Sequence, residues 1–139
     1  MTMVKSKVYT IRTPERECFV EITQYLQEYL HEIDITNGVL LVFIPHTTAG
    51  VTINEHADPS VVRDILTYLK KLVPYRGNYK HLEGNSDAHI KASLVGASLS
   101  IPFESKKLLL GTWQGVFFCE FDGPRTRRFI VTATPCDPK

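Results

Sequence analysis

The chain has 139 residues, of which 43% are hydrophobic and 22% charged, the proportions of one ordinary globular domain rather than of a disordered or fibrous chain. Sixteen basic side chains against fifteen acidic ones leave a net charge of +1, so no overall field gathers a polyanion and nucleic acid is not an expected partner. The longest apolar run, Val39–Pro45, is too short to cross a bilayer, and the opening Met1-Thr-Met-Val-Lys has no hydrophobic signal segment. No membrane contact and a cytoplasmic location are the expectations.

In chain order, Val4–Ile11 alternates β-branched and polar residues, which suits a strand with one face in water, and Cys18–Ile22 reads as a second. From Thr23, read as an N-cap, the series Ile22, Leu26, Tyr29, Leu30 and Ile33 has helical spacing, and Asn37-Gly38 turns the chain. Val39–Ile44 is continuously apolar, the pattern of a central strand covered on both faces, and its end delivers His46. Val51–Asn54 is a further short run. Asp58-Pro59 then opens a helix with the stripe Val62, Ile65, Leu66, Leu69 and Leu72, ending before Pro74.

Tyr75–Asn85 is a long polar connection carrying His81 and Glu83. Ser86 or Asp87 caps a third helix, with His89 in its first turn, Ile90, Leu94 and Val95 expected inward, and Gly96 as the stop. Ala97–Phe103, Lys107–Gly111, Gly115–Phe121 and Thr126–Thr134 read as strands, most simply a meander. Residues 1–139 are therefore expected to form one α+β domain, a mixed or antiparallel sheet with about three helices on one side. Three cysteines without a CxxC pair read as reduced thiols, Cys119 in the core and Cys18 and Cys136 at the surface.

His46-Thr-Thr-Ala-Gly follows a buried strand directly, which mounts an imidazole on a rigid support. His81 and His89 bracket Glu83-Gly-Asn-Ser-Asp87, and imidazoles with carboxylates nearby are the usual ligands and supporting groups of a divalent transition metal. No short H-x-x-x-H spacing is present, so only the fold can bring the three histidines together. His31 and His56 read as solvated or structural. Lys91, Arg125, Arg127 and Arg128, with the amides opening the third helix, are the available phosphate contacts. Trp113 and Gln114, between Gly111 and Gly115, can line a pocket for a planar heterocycle. Glu120 sits mid-strand among apolar residues and needs a partner if buried, for which Arg128 is the candidate.

Taken together, His46-Thr-Thr-Ala-Gly, Asn54-Glu55 with Asp58-Pro59, Asn78-Tyr79 followed by His81 and Glu83-Gly84, His89-Ile-Lys-Ala-Ser, Gly111-Thr-Trp-Gln-Gly and the turn from Glu120 to Arg128 resemble the YjbQ family, also called the secondary thiamine-phosphate synthase family. The resemblance runs over nearly the whole chain with the motifs in the family's order. It implies a homotrimer, a cleft in which His46, His81 and His89 match metal-site histidines, and Trp113-Gln114 beside that cleft. It also implies a weak thiamine phosphate synthase activity, joining hydroxymethylpyrimidine diphosphate to a thiazole phosphate.

Three functional expectations follow. The first is a metal-assisted transferase, with His46, His81 and His89 holding zinc, or magnesium as the ion that commonly accompanies diphosphates, and Lys91 and Arg128 on phosphate. The second is a metal-dependent hydrolase of a small phosphorylated metabolite with Glu55 or Glu83 as general base. The third is a trimeric binding module without catalysis.

Overall fold

The structure, a computed structural model, describes residues 6–136. The elements run β1 (Lys7–Arg12), β2 (Cys18–Glu21), α1 (Thr23–Glu32), β3 (Gly38–Phe43), β4 (Ala49–Glu55), α2 (Pro59–Leu72), α3 (Ser86–Val95), β5 (Ser98–Glu104), β6 (Lys107–Leu108), β7 (Gln114–Glu120) and β8 (Thr126–Pro135). Val4, expected to begin the first strand, lies outside the described residues.

The strands form two antiparallel sheets, one of five strands in the order β1-β8-β3-β5-β6 and one of three in the order β2-β7-β4. The α+β expectation holds, with antiparallel pairing and three helices. The expected meander does not. β5 and β6 pair as a hairpin, but β7 leaves to sit between β2 and β4, and β8 returns between β1 and β3. Sequence order is a poor guide here because β7 can bury both its faces only in the middle layer.

One core lies between the sheets, where Leu40, Val42, Phe129 and Val131 meet Val51, Val116 and Phe118, with Leu26, Tyr29 and Leu30 of α1 closing it. A second lies on the far side of the three-stranded sheet, where Phe117, Cys119 and Phe121 meet Ala88 and Ala92 of α3 and the half-buried Val62, Leu66 and Leu69 of α2. Residues 115–120 of β7 are thus covered on both faces, which is why that stretch reads as an unbroken apolar run. β3 is central as expected, yet only one of its faces is covered. Val39, Leu41 and Phe43 point out of the five-stranded sheet at 41%, 39% and 43% exposure.

Local signals explain two of the helix ends, whereas α3 begins after Asn85 with no side-chain cap and not at a cap on Ser86 or Asp87. Asp58 caps α2, its carboxylate accepting the Ser60 amide at 2.9 Å, with Pro59 in the first turn. Gly96 ends α3 at φ +103°, a conformation that a side chain would strain. Thr23, by contrast, is the first residue of α1 and not its cap; its hydroxyl accepts the Val116 amide and donates to Glu21.

The buried face of α3 differs from the expected one, of which only Val95 packs inward. Asp87, Ala88, Lys91 and Ala92 face inward, while Ile90 and Leu94 face out. The two charges are tolerated because partners from the β1–β2 loop meet them. Lys91 Nζ donates to Asp87 at 2.9 Å and to Glu17 at 3.1 Å, and Arg16 forks onto Asp87 at 3.0 and 3.2 Å. Cys18, expected at the surface, is also buried, in a strand that Glu120 and its neighbours pair.

Candidate functional site

The connection 75–85 folds back over the start of α3 and brings His81 beside His89, with ring centroids 5.5 Å apart and the planes nearly perpendicular. His81 Nε2 is 3.0 Å from Glu83 Oε1, so the loop carboxylate orients that imidazole. Asn78, Tyr79, Lys80, His81, His89 and Ile90 line a pocket of about 420 Å³. His89 also borders a second pocket of about 340 Å³, whose other walls include His46, Thr47, Ser93 and Gly96. The helix turn bearing His89 is therefore the wall shared by both.

His46 sits just past β3, and Arg128 of β8 holds it: Nε2 lies 2.9 Å from the Arg128 amide nitrogen and 3.1 Å from its carbonyl oxygen. Burial lowers the imidazole's pKa and the Arg127 charge lowers it further, against a smaller opposing pull from the Arg128 backbone. His46 is consequently neutral at pH 7, the form that ligates a cation or exchanges a proton. The motif's Gly50 faces the end of α3, and a Cβ there would stand 2.6 Å from the Gly96 carbonyl oxygen, which accepts the Val51 amide at 3.0 Å.

The other expected residues are placed elsewhere. Among the described residues, no group of three or more His, Cys, Asp or Glu side chains lies close enough to hold a metal ion. His81 and His89 are brought together, and His46 reaches only the pocket on the opposite side of His89. Lys91, expected on phosphate, is fully buried and its ammonium is occupied by Asp87 and Glu17. Arg128 offers its backbone to His46 while its side chain stays in solvent. Trp113 is 63% exposed, Gln114 accepts the Gly111 amide at 2.7 Å, and Glu55 pairs with Gln114 across β4 and β7. None of these three lines either histidine pocket; Glu55 opens instead on a separate cavity under α2.

Glu120 is buried as suspected, but its partner is Arg127 and not Arg128. Arg127 Nε donates to Glu120 at 2.8 Å and Nη2 to both Glu120 and, at 2.8 Å, Thr48 Oγ1, while Thr13 and the Asp122 amide complete the carboxylate's shell. Burial raises the pKa of Glu120, and these hydrogen bonds outweigh that and hold it below the ordinary carboxylate value. The side chains of β8 alternate, so residue 127 faces inward and 128 outward. The two residues that sequence reasoning passed over are Lys80, the cation adjoining His81, and Glu17, which shares Lys91 with Asp87. A cation beside a loop histidine, and Asp87 four residues before Lys91 next to two small alanines, were the available signals.

The model of the YjbQ family, described as UPF0047 protein YjbQ-like, matches residues 7–136. The chain belongs to the YjbQ family. Among UPF0047 relatives, one from Methanocaldococcus jannaschii is 55% identical over 88% of this chain and 89% of its own, and YugU of Bacillus subtilis is 48% identical over 90% and 96%. Solved structures of the family share the fold, two of which illustrate the likeness. A YjbQ/UPF0047 family protein from Clostridium acetobutylicum superposes with a TM-score of 0.91 at 52% identity, covering 92% of this chain and 99% of that one. A protein of unknown function from Sulfolobus solfataricus gives 0.92 at 32% identity, over 98% and 100%.

Proposed function

We propose that the surface centred on His89 is a small-metabolite site performing group transfer on a phosphorylated substrate, and that the reaction is of the thiamine phosphate synthase type. What carries the reading is the position of His89 as a wall common to two pockets, one holding His81 and Lys80 and the other His46. Two adjoining pockets suit a reaction that must bring two small molecules face to face.

In that reaction the thiazole nitrogen attacks the methylene carbon of hydroxymethylpyrimidine diphosphate. Its lone pair forms the C–N bond while the C–O bond breaks and its electrons leave with pyrophosphate. Lys80 supplies a cation for the departing diphosphate, Tyr79 a flat face for a heterocycle, and His81, steadied by Glu83, a hydrogen-bonding group. Zinc is the divalent ion best suited to imidazoles, and magnesium the usual companion of diphosphates. His81, His89 and Glu83 are the residues that would begin such a site, but one chain's described residues do not complete a ligand set.

A second reading, hydrolysis of a small phosphorylated metabolite, is favoured by the 3.0 Å contact of Glu83 with His81, which fits a general base. We also propose that the chain works as the homotrimer its family resemblance implies. In support, the outer face of the five-stranded sheet presents Val8, Val39, Leu41 and Phe43 to solvent. Phe43→Lys should reduce the mass seen in sedimentation from trimer to monomer.

The decisive test is to incubate the purified protein with both precursors, with and without added zinc or magnesium, and with each precursor alone. Joined product that disappears with His81→Ala and His89→Ala supports transfer. Phosphate release from one precursor alone supports the hydrolase. Turnover untouched by either substitution overturns the site.

A further inference from the structure

We propose that the cavity under α2 binds a small primary amine carried on an apolar body the size of one ring. This site shares no lining residue with the histidine pockets and does not rest on the reading above. It lies between α2, none of whose residues is fully buried, and the three-stranded sheet, and encloses about 310 Å³. Phe19, Val62, Leu66 and Phe117 line it, with the two rings tilted at 5.9 Å, and the Cys18 thiol completes an uncharged floor because burial pushes its pKa up. A surface of this kind takes an apolar body from water.

Charge at the mouth selects the polar group. Glu15, Glu55, His56 and Arg63 border it. His56 is already committed, its Nδ1 2.8 Å from Glu21, and the fit is close, since a Cβ on Gly115 would stand 2.7 Å from the His56 Cβ. The charge of Arg63 is drawn toward Asp58, whose pKa it helps to lower after the bonds from Ser60. Glu15 and Glu55 have no ion-pair partner among the described residues. Two free carboxylates against one shared guanidinium leave the mouth negative, which selects an ammonium group and disfavours a carboxylate of the same size.

The test is a titration of the isotope-labelled chain, followed by amide NMR, with phenethylamine and with hydrocinnamate as its size-matched anion. Phenethylamine is expected to give saturable shifts at Phe19, Val62, Leu66 and Phe117 and none at His81 or His89. Hydrocinnamate should bind about tenfold more weakly or worse, and Glu55→Gln should weaken the amine by about tenfold, the loss of one charge-assisted hydrogen bond. Leu66→Trp fills the space and should remove binding while the spectrum stays dispersed; Glu55→Gln, at a half-buried site, carries the test if that variant fails to fold. Equal binding of the anion, an unchanged affinity in Glu55→Gln, or no saturable shift with the amine overturns the proposal.

Discussion

The two faces of α3 are built on opposite plans. On the inner face Asp87 and Lys91 are sealed from water and every charge has a partner, two of them, Arg16 and Glu17, more than seventy residues away in the chain. On the outer face His89 and Ile90 border open pockets, and the nearest ion pair, His81 with Glu83, is at 43% and 76% side-chain exposure. The first arrangement fixes the helix, and the second leaves its histidine free to meet a ligand. Arg16 joins the two, since its guanidinium lies 4.0 Å over the Tyr75 ring at the start of the loop that carries His81.

Breaking the inner face should have the largest effect. Lys91→Met strands Asp87 and Glu17 with Arg16 alone, and a loss of about 3–5 kcal/mol is expected, read as a fall in the urea midpoint and in Tm by roughly 10–17 °C. Acid should attack the same place more gradually. Burial raises the pKa of Asp87, but the bonds from Arg16 and Lys91 outweigh it and leave the carboxyl below its ordinary value. A carboxyl depressed in the folded state adds stability that is complete above its unfolded pKa, about 4, and is lost as pH falls through the folded value. Denaturation midpoints measured down that range should fall progressively in the native chain.

His46 gives a smaller effect at higher pH. Its folded pKa is lowered, so the unfolded chain binds the proton more tightly, and stability should decline as pH falls from about 6.5 through the folded value. Melting curves between about pH 7.5 and about pH 5.5 should show that decline in the native chain and not in His46→Gln. The smallest change in stability is expected for His81→Ala, within about 0.5 kcal/mol because the pair it breaks is exposed, even though it should abolish turnover. A large loss of stability there would erase the contrast between the faces.

The same contrast marks what the sequence could tell. Signals written within a few residues were legible, such as the Asp58-Pro59 cap and the Gly96 stop, but an unbroken apolar run misled, since β3 carries one with a face open while β7 is the strand covered on both. The burial of Asp87 and Lys91 was not legible, because it depends on Arg16 and Glu17, and local hydrophobicity pointed to Ile90 and Leu94 instead. Arg127 was passed over for Arg128 because the phase of β8 is set by its neighbours β1 and β3, and a slip of one residue changes the face. Of the candidate site, the pairing of His81 with His89 follows from a loop closing on a helix, which no short spacing of the two announced. The separation of Trp113, Gln114 and Glu55 from them follows from β7 entering the middle sheet, which no short pattern announces.

Gly50 carries a last consequence. With less than van der Waals room before the Gly96 carbonyl, this residue acts as a spacer of zero thickness between the strand that follows His46 and the helix that bears His89. A single methyl group there would wedge helix from strand and widen the gap between the two imidazoles without touching either, so the reach of the site is gauged by the one residue in its motif that has no side chain at all.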